Sequence, residues 1–155
     1  MLYSIIKTYI TMKQEDKELI LKDLCARLPY GVKFACNKNV YTAKGLDLIV
    51  TDEGDWEYAV TAKGIAPIEI DFIKPYLFPL SSMTEEQKKE LENLGWNFDN
   101  FEIHNVSECL GIYREYVAHS DCFVLIDWLD KNHFDYRGLI KKSLAIDATK
   151  LGIYK

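Results

Sequence analysis

The fold of this chain is decided by residues 32–73, which read VKFACNKNVYTAKGLDLIVTDEGDWEYAVTAKGIAPIEIDFI. Short runs rich in β-branched and aromatic residues alternate here with turn residues, a pattern typical of an antiparallel β-meander. Breaks are expected where Asn, Asp or Gly interrupts a run, including Lys44 and Gly45. The predicted strands are residues 32–36, 40–43, 46–51, 57–62 and 68–73. Because so small a sheet is marginal in water alone, we expect it to curl into a small SH3-like barrel or to lie open with one face on a helix.

A helix is predicted immediately before this sheet. Thr11 and Gln14 have the spacing of a capping box, which satisfies backbone amides at the start of a helix. Leu24 and Cys25 belong to an apolar stripe at helical spacing, and such stripes mostly pack inward. Gly31 follows this stripe, so the helix is expected to end just before it.

The chain after the sheet is predicted to be mainly helical. Two prolines in residues 74–79 predict an extended connector, because proline favours extended backbone before it and cannot donate to a ladder. A capping box formed by Thr84 with Gln87, or by Ser82 with Glu85, then predicts a charged surface helix up to about residue 94. The connector therefore predicts a boundary between two lobes.

Three weaker predictions complete the secondary structure. Alternating aromatic and polar residues predict a strand over residues 96–103, and an apolar pattern predicts a helix over residues 120–131. The tail after Ala148 is predicted to be loose. The fold class is therefore α+β, with an N-terminal extension over residues 1–11, a helix with a small β-barrel or sheet over residues 12–79, and a helical C-terminal lobe over residues 80–155.

Composition limits the classes of function. The chain has 155 residues and a formal charge of −5, and its pI near 5.2 makes binding to nucleic acid unlikely, since that affinity comes from neutralising phosphates. No run approaches the roughly 18 apolar residues of a membrane helix, so no membrane contact is predicted. The four cysteines are scattered without a C-x-x-C pair, which favours reduced thiols and a cytoplasmic location.

No metal site or cofactor is predicted. His104, Cys109, His119 and Cys122 are the candidates for zinc, but structural zinc sites use two tight ligand pairs on turns, and these cysteines lie inside apolar runs. Cys122 has a second possible role as a nucleophile, because it lies near the predicted start of a helix, where a thiol pKa can fall.

The densest group of chemically active side chains is DWLDKNHFDYRGLI, residues 127–140. His133 and Asp135 are candidates for general acid and base catalysis, which requires two titratable groups in a cleft, and Asp127 and Asp130 are further possible partners of His133. A purely structural role is the alternative, in which Arg137 pairs with a nearby aspartate and the aromatic residues anchor the chain. A third alternative is a binding patch, whose residues would be Trp128, His133, Phe134, Tyr136 and Arg137.

A second candidate surface lies on the predicted sheet. Tyr41, Trp56, Tyr58 and Phe72 could form a platform for stacking or for peptide binding, which are uses that small β-barrels often serve. Packing within the core explains the same aromatic residues equally well.

Three stretches carry a resemblance to other proteins: DLCARLPYGV at residues 23–32, KPYLFPLSSMT at residues 74–84, and the segment at residues 127–140. The chain resembles a group of short proteins of unknown function from gut bacteria and their phages. The resemblance spans residues 12–148 and implies a small cytoplasmic protein of a phage or mobile element. It implies no catalytic or binding residue, and the extension before Met12 departs from it.

These observations favour a non-enzymatic protein-interaction or regulatory module with a protein partner, present as a monomer or homodimer. One alternative is a small hydrolase or transferase that uses the His133 region or Cys122. A further alternative is a nucleic-acid accessory protein, suggested by four lysines in or beside the predicted strands: Lys33, Lys38, Lys44 and Lys63.

Overall fold

The computed structural model describes residues 12–94 and 119–155, with side chains from residue 123 onward in the second range. The chain divides into two compact units, Met1–Pro75 and Tyr76–Lys155. Within the described ranges, no helix is long and apolar enough to cross a membrane. The strand predicted over residues 96–103 lies outside these ranges, as do His104 and Cys109.

The fold is α+β, with helices α1 to α3 and strands β1 to β6. The first unit contains α1 (Gln14–Arg27), β1 (Lys33–Cys36), β2 (Asn39–Val50), β3 (Trp56–Ala62), β4 (Ile68–Glu69) and the start of β5 (Lys74–Leu77). The second contains the end of β5, α2 (Glu85–Asn93), α3 (His119–Lys131) and β6 (Ile146–Asp147).

Helix α1 begins after Lys13, which makes no side-chain cap, and the predicted cap Thr11 lies outside the described residues. The helix ends as predicted, because Gly31 adopts a left-handed φ of +67° after a single 3₁₀ turn. Its buried face differs from the predicted stripe: Asp23 and Arg27 are fully buried, whereas Cys25 is exposed. Hydrophobic periodicity could not reveal this, since a charged pair one turn apart resembles a solvated face.

The sheet is open, so the barrel alternative is wrong. Within the described residues, six strands pair in the order β4-β3-β2-β1-β5-β6. The pairs are antiparallel except β5 with β6, which makes the sheet mixed. The residues predicted as a proline connector form β5: Lys74 and Pro75 pair with β1, and Tyr76 and Leu77 pair with β6. The fixed φ of proline is compatible with an extended strand.

Two further boundaries in the first unit differ from prediction. Strand β2 runs without a break from Asn39 to Val50, because Lys44 and Gly45 form a β-bulge and not a turn. The last predicted strand is shorter than expected, since β4 ends at Glu69 and a 3₁₀ turn follows at Ile70–Phe72.

The second unit is organised around one apolar cluster. The capping box of Thr84 and Gln87 is confirmed, with both reciprocal hydrogen bonds present at the start of α2. Leu91 brings α2 into the cluster, and α3 contributes Leu125 and Leu129. The mainly helical character predicted for this lobe stays a prediction, because residues 95–118 lie outside the described ranges.

The C-terminal tail is ordered against this unit, so its predicted loose end is wrong. The hydroxyl of Tyr154 donates a hydrogen bond of 2.8 Å to the carbonyl oxygen of Tyr76. The Tyr154 ring stacks on His133, with ring centroids 4.0 Å apart. One aromatic side chain in a tail of seven residues gave too little periodic signal to predict this contact.

Candidate functional site

The segment 127–140 lies at the end of α3 and the turn that follows. His133 has a left-handed φ of +58°, which reverses the chain after the helix. The chain then runs beside Phe78, whose amide donates to the His133 carbonyl at 2.9 Å and whose carbonyl accepts from the Asp135 amide at 2.8 Å. These two backbone hydrogen bonds hold residues 133–135 beside Phe78.

Asp130 is buried and accepts hydrogen bonds from two side chains of the same segment. The Tyr136 hydroxyl donates to Oδ1 of Asp130 at 2.9 Å, and a guanidinium nitrogen of Arg137 lies 3.2 Å from the same oxygen. The Arg137 guanidinium also lies 4.2 Å from the centre of the Tyr136 ring, within cation–π distance. The side chains of Asp130, Tyr136 and Arg137 therefore restrict one another's conformation.

Asp135, a predicted catalytic residue, binds backbone amides with both carboxylate oxygens. Oδ1 accepts from the amide of Leu139 at 2.9 Å, and Oδ2 accepts from the amide of Ile140 at 2.8 Å. Such a carboxylate organises the turn that contains Gly138, where φ is +76°. These contacts favour a structural role for Asp135.

The aromatic members of the predicted binding patch are inside the second unit. Trp128 stacks on Phe134 with a centroid distance of 5.6 Å and an interplanar angle of 12°, and both side chains are buried. Among the described residues, Nε1 of Trp128 has no hydrogen-bond partner. His133 is buried as well, beneath the ring of Tyr154.

The structure thus brings together all five residues of the predicted patch, Trp128, His133, Phe134, Tyr136 and Arg137. Their contacts favour the structural alternative, since burial of the three ring systems leaves little surface for a partner. The catalytic and binding roles of this segment stay predictions. Of Cys122 and His119, only the backbone is described, so their predicted roles are untested.

A different surface is both apolar and exposed: the outer half of the β2–β3 hairpin. Leu48 pairs with Tyr58 and Val50 pairs with Trp56 across the two strands, so the four side chains share one face. We call these four residues the hairpin face. Their exposed fractions are 50% for Leu48, 46% for Tyr58, 54% for Val50 and 70% for Trp56. These values place the face in solvent.

The hairpin face continues a face that is buried further along the sheet. Val60 lies two residues beyond Tyr58 on the same side of β3 and is fully buried, and Ala43, which pairs with Ala62, is buried as well. The apolar residues on this side of the hairpin therefore continue beyond the part of the sheet that is buried within the first unit. Natural strands more often carry polar residues where a face reaches water.

The β-bulge in β2 gives the hairpin face its composition. Before the bulge, the odd-numbered Tyr41 and Ala43 lie on this side, and after it the even-numbered Leu46 and Leu48 do, because Ala43 pairs with Ala62 and Gly45 pairs with Thr61. Lys44 is the extra residue. The apolar residues that β2 places on this side are odd-numbered before Lys44 and even-numbered after it. The bulge keeps both sets on the same side of the sheet.

Ion pairs link the opposite side of the hairpin to α1. Nζ of Lys17 lies 3.0 Å from Oε1 of Glu57 and 3.2 Å from Oδ2 of Asp71. Burial alone lowers the pKa of Lys17, but hydrogen bonds and attraction from both carboxylates outweigh it, so the pKa lies above its ordinary value. Lys17 therefore remains charged and links the helix to β3 and to the 3₁₀ turn.

The turn at the end of the hairpin is acidic and ordered. Residues 45–62 contain five acidic residues and no Lys or Arg. The amide of Thr51 donates to the carbonyl of Asp55 at 2.8 Å, and Gly54 takes a φ of +90° that closes the turn. The side chains of Asp52, Glu53 and Asp55 are exposed, and Asp55 directly precedes Trp56. The apolar face thus ends in a negatively charged rim.

The four aromatics predicted as a platform fall into two groups. Trp56 and Tyr58 belong to the hairpin face, whereas Tyr41 and Phe72 line an open cavity of about 370 Å³ that also contains Cys36. The prediction missed Leu48 and Val50. Their even-numbered alternation was present in the sequence, but it could be joined to the aromatics of β3 only once the strand register was known.

No three His, Cys, Asp or Glu side chains are grouped to hold a metal ion within the part of the chain that the structure describes. Comparisons with family models, with curated proteins and with solved structures find no match.

Proposed function

We propose that this chain is a non-enzymatic protein-interaction module whose partner binds the hairpin face. The observation that carries the proposal is the exposure of four large apolar side chains side by side, led by Trp56 at 70%. Contiguous exposed apolar patches mark interaction sites, because a monomer gains nothing by leaving them in water. Tryptophan and tyrosine are also the side chains that most often dominate binding energy at protein interfaces.

The surroundings of the face support this proposal. The Lys17 bridge to Glu57 and the hydrogen-bonded turn hold the hairpin in one conformation before a partner arrives. A surface that is already ordered loses less conformational entropy on binding. The form of the hydrolase or transferase alternative that uses Asp135 has less support, since the carboxylate of Asp135 binds backbone amides. The form that uses Cys122 stays a prediction.

Site-specific photo-crosslinking tests the proposal directly. A photoreactive phenylalanine analogue is placed at position 56, and in a separate protein at position 123, where Phe123 is equally exposed at 69% but lies on α3. Both proteins are irradiated in extract from the source cells. One dominant protein adduct is expected from position 56 and not from position 123.

The required specificity is then tested without the crosslinker. Tyr58→Ser should reduce capture of the same protein by an unlabelled chain, whereas Phe123→Ser should not. Circular dichroism of each variant establishes that the fold is retained. Equal adduct patterns at the two positions, or no adduct at position 56, would contradict the proposal.

A further inference from the structure

We infer that the partner presents a basic, extended segment to the hairpin face, in which Arg or Lys alternates with apolar side chains. This inference rests on the proposed function and specifies the chemistry of the partner. Three observations carry it: the apolar face itself, the acidic turn at its end, and an incompletely paired edge of β3.

The charge of the hairpin favours a basic partner. All five charged residues in residues 45–62 are acidic, and Glu57 is paired with Lys17 on the opposite side of the hairpin. The exposed carboxylates of the turn lie beside the apolar face. Complementary charge at the rim of an interface accelerates association and excludes partners of like charge. An acidic peptide or a nucleic acid would be repelled at the same position.

Trp56 favours arginine or lysine among the possible contacts. Its indole is the most exposed side chain of the hairpin face and directly follows Asp55 in the chain. A guanidinium over the indole ring would gain a cation–π interaction and lie close to carboxylates of the turn. Tryptophan is the best aromatic partner for such a cation.

The edge of β3 favours an extended conformation of the partner. Strand β4 pairs with β3 only at Ala59 and Val60, so Trp56–Tyr58 has no strand neighbour on that side within the described residues. A partner strand added there would hydrogen-bond to the outward-facing backbone groups of β3. Its alternate side chains would then reach the hairpin face, because side chains alternate across a strand.

The experiment measures the binding of labelled synthetic peptides by fluorescence anisotropy. The probe is a short peptide of alternating Arg and Val, and two matched peptides replace Arg with Gln or with Glu. A fourth peptide keeps Arg and Val but carries N-methyl groups on alternate backbone amides, which removes edge hydrogen bonding. Only the unmodified Arg peptide is expected to bind, and its affinity should fall as salt rises.

Protein variants locate the binding. Trp56→Ser should weaken binding of the Arg peptide at least about tenfold, as for a dominant interface residue. Asp52→Asn, Glu53→Gln and Asp55→Asn together should weaken it and flatten its salt dependence. The matched control removes three exposed acids from α2 (Glu85→Gln, Glu86→Gln and Glu90→Gln) and should leave the affinity unchanged.

The inference is overturned if the Gln peptide or the N-methylated peptide binds as tightly as the Arg peptide, or if no peptide binds. It is also overturned if Trp56→Ser changes the sedimentation of the protein alone, because the face would then pair two copies of this chain. The proposed function fails separately, in the crosslinking experiment. An adduct at position 56 that maps to an acidic or neutral segment keeps the proposed function and overturns only this inference.

Discussion

Nε of Arg27 lies 2.9 Å from Oδ2 of Asp23, one turn earlier on α1, and both side chains are completely buried. Removing two charges from water costs several kcal/mol for each ion, and only the attraction between them and further hydrogen bonds offset that cost. The pair therefore adds little net stability, yet each member depends on the other.

Loss of one partner alone should be severely destabilising. We expect Asp23→Ala or Arg27→Ala to lower the free energy of unfolding by roughly 3–5 kcal/mol, because each removes the ion-pair partner of a fully buried charge. Urea denaturation measures this difference. The double replacement Asp23→Leu with Arg27→Met should recover most of the loss. Single variants as stable as the parent protein would show that the pair is not buried.

Alkaline pH should weaken the link between α1 and the hairpin. The pKa of Lys17 is raised above 10.5 in the folded chain, so its contribution is fully present below that pH and is lost as pH rises through the folded value. The difference in unfolding free energy between the parent and Lys17→Met should therefore shrink above about pH 10.5. Lys88→Met removes a more exposed pair with Glu85 and should show a smaller difference than Lys17→Met below that pH.

The fold was predictable where local chemistry decides the structure. The Thr84 capping box and the stop at Gly31, which ends the 3₁₀ turn after α1, depend on a few adjacent residues, and both are confirmed. The bulge at Lys44 was mistaken for a turn, because Lys-Gly is compatible with both and only pairing with Thr61 separates them. Burial of Asp23 was equally hidden, since it depends on what packs against the helix.

The candidate site was predictable only in part, for a similar reason. Trp56 and Tyr58 are conspicuous in the sequence, but whether an aromatic side chain faces the core or water depends on the coverage of the sheet. For the segment 127–140 the sequence favoured a functional role more strongly than the structure does. Its reactive side chains attract attention, yet Asp135 binds amides and His133 is buried under Tyr154.

The role of Asp135 is separable by graded substitution. Asp135→Ala leaves the amides of Leu139 and Ile140 without their acceptor, which should cost roughly 1–3 kcal/mol for each unsatisfied group. Asp135→Asn keeps one acceptor oxygen and should cost less. Thermal unfolding of both variants measures whether Asp135→Ala is the less stable of the two. Equal stability of the alanine variant and the parent would restore a functional role as the better explanation.

The two described cysteines should differ in reactivity. Cys25 is exposed on α1, whereas Cys36 is 7% exposed and burial raises the pKa of its thiol, which keeps it protonated. Iodoacetamide at about pH 8 should therefore label Cys25 and spare Cys36 until the protein is unfolded. Peptide mass spectrometry over time measures both rates, and equal rates in the native protein would contradict the burial of Cys36.

The bulge at Lys44 also determines where β2 can change length. Gly45 pairs with Thr61 and Ala43 pairs with Ala62, so Lys44 is a residue without a counterpart. Deleting it would restore a regular ladder and keep Leu48 and Val50 on the same side. A deletion within residues 46–50 would instead turn part of the strand over and bury an acid or expose a different set of side chains. Lys44 is thus the position at which this strand tolerates the loss of a residue.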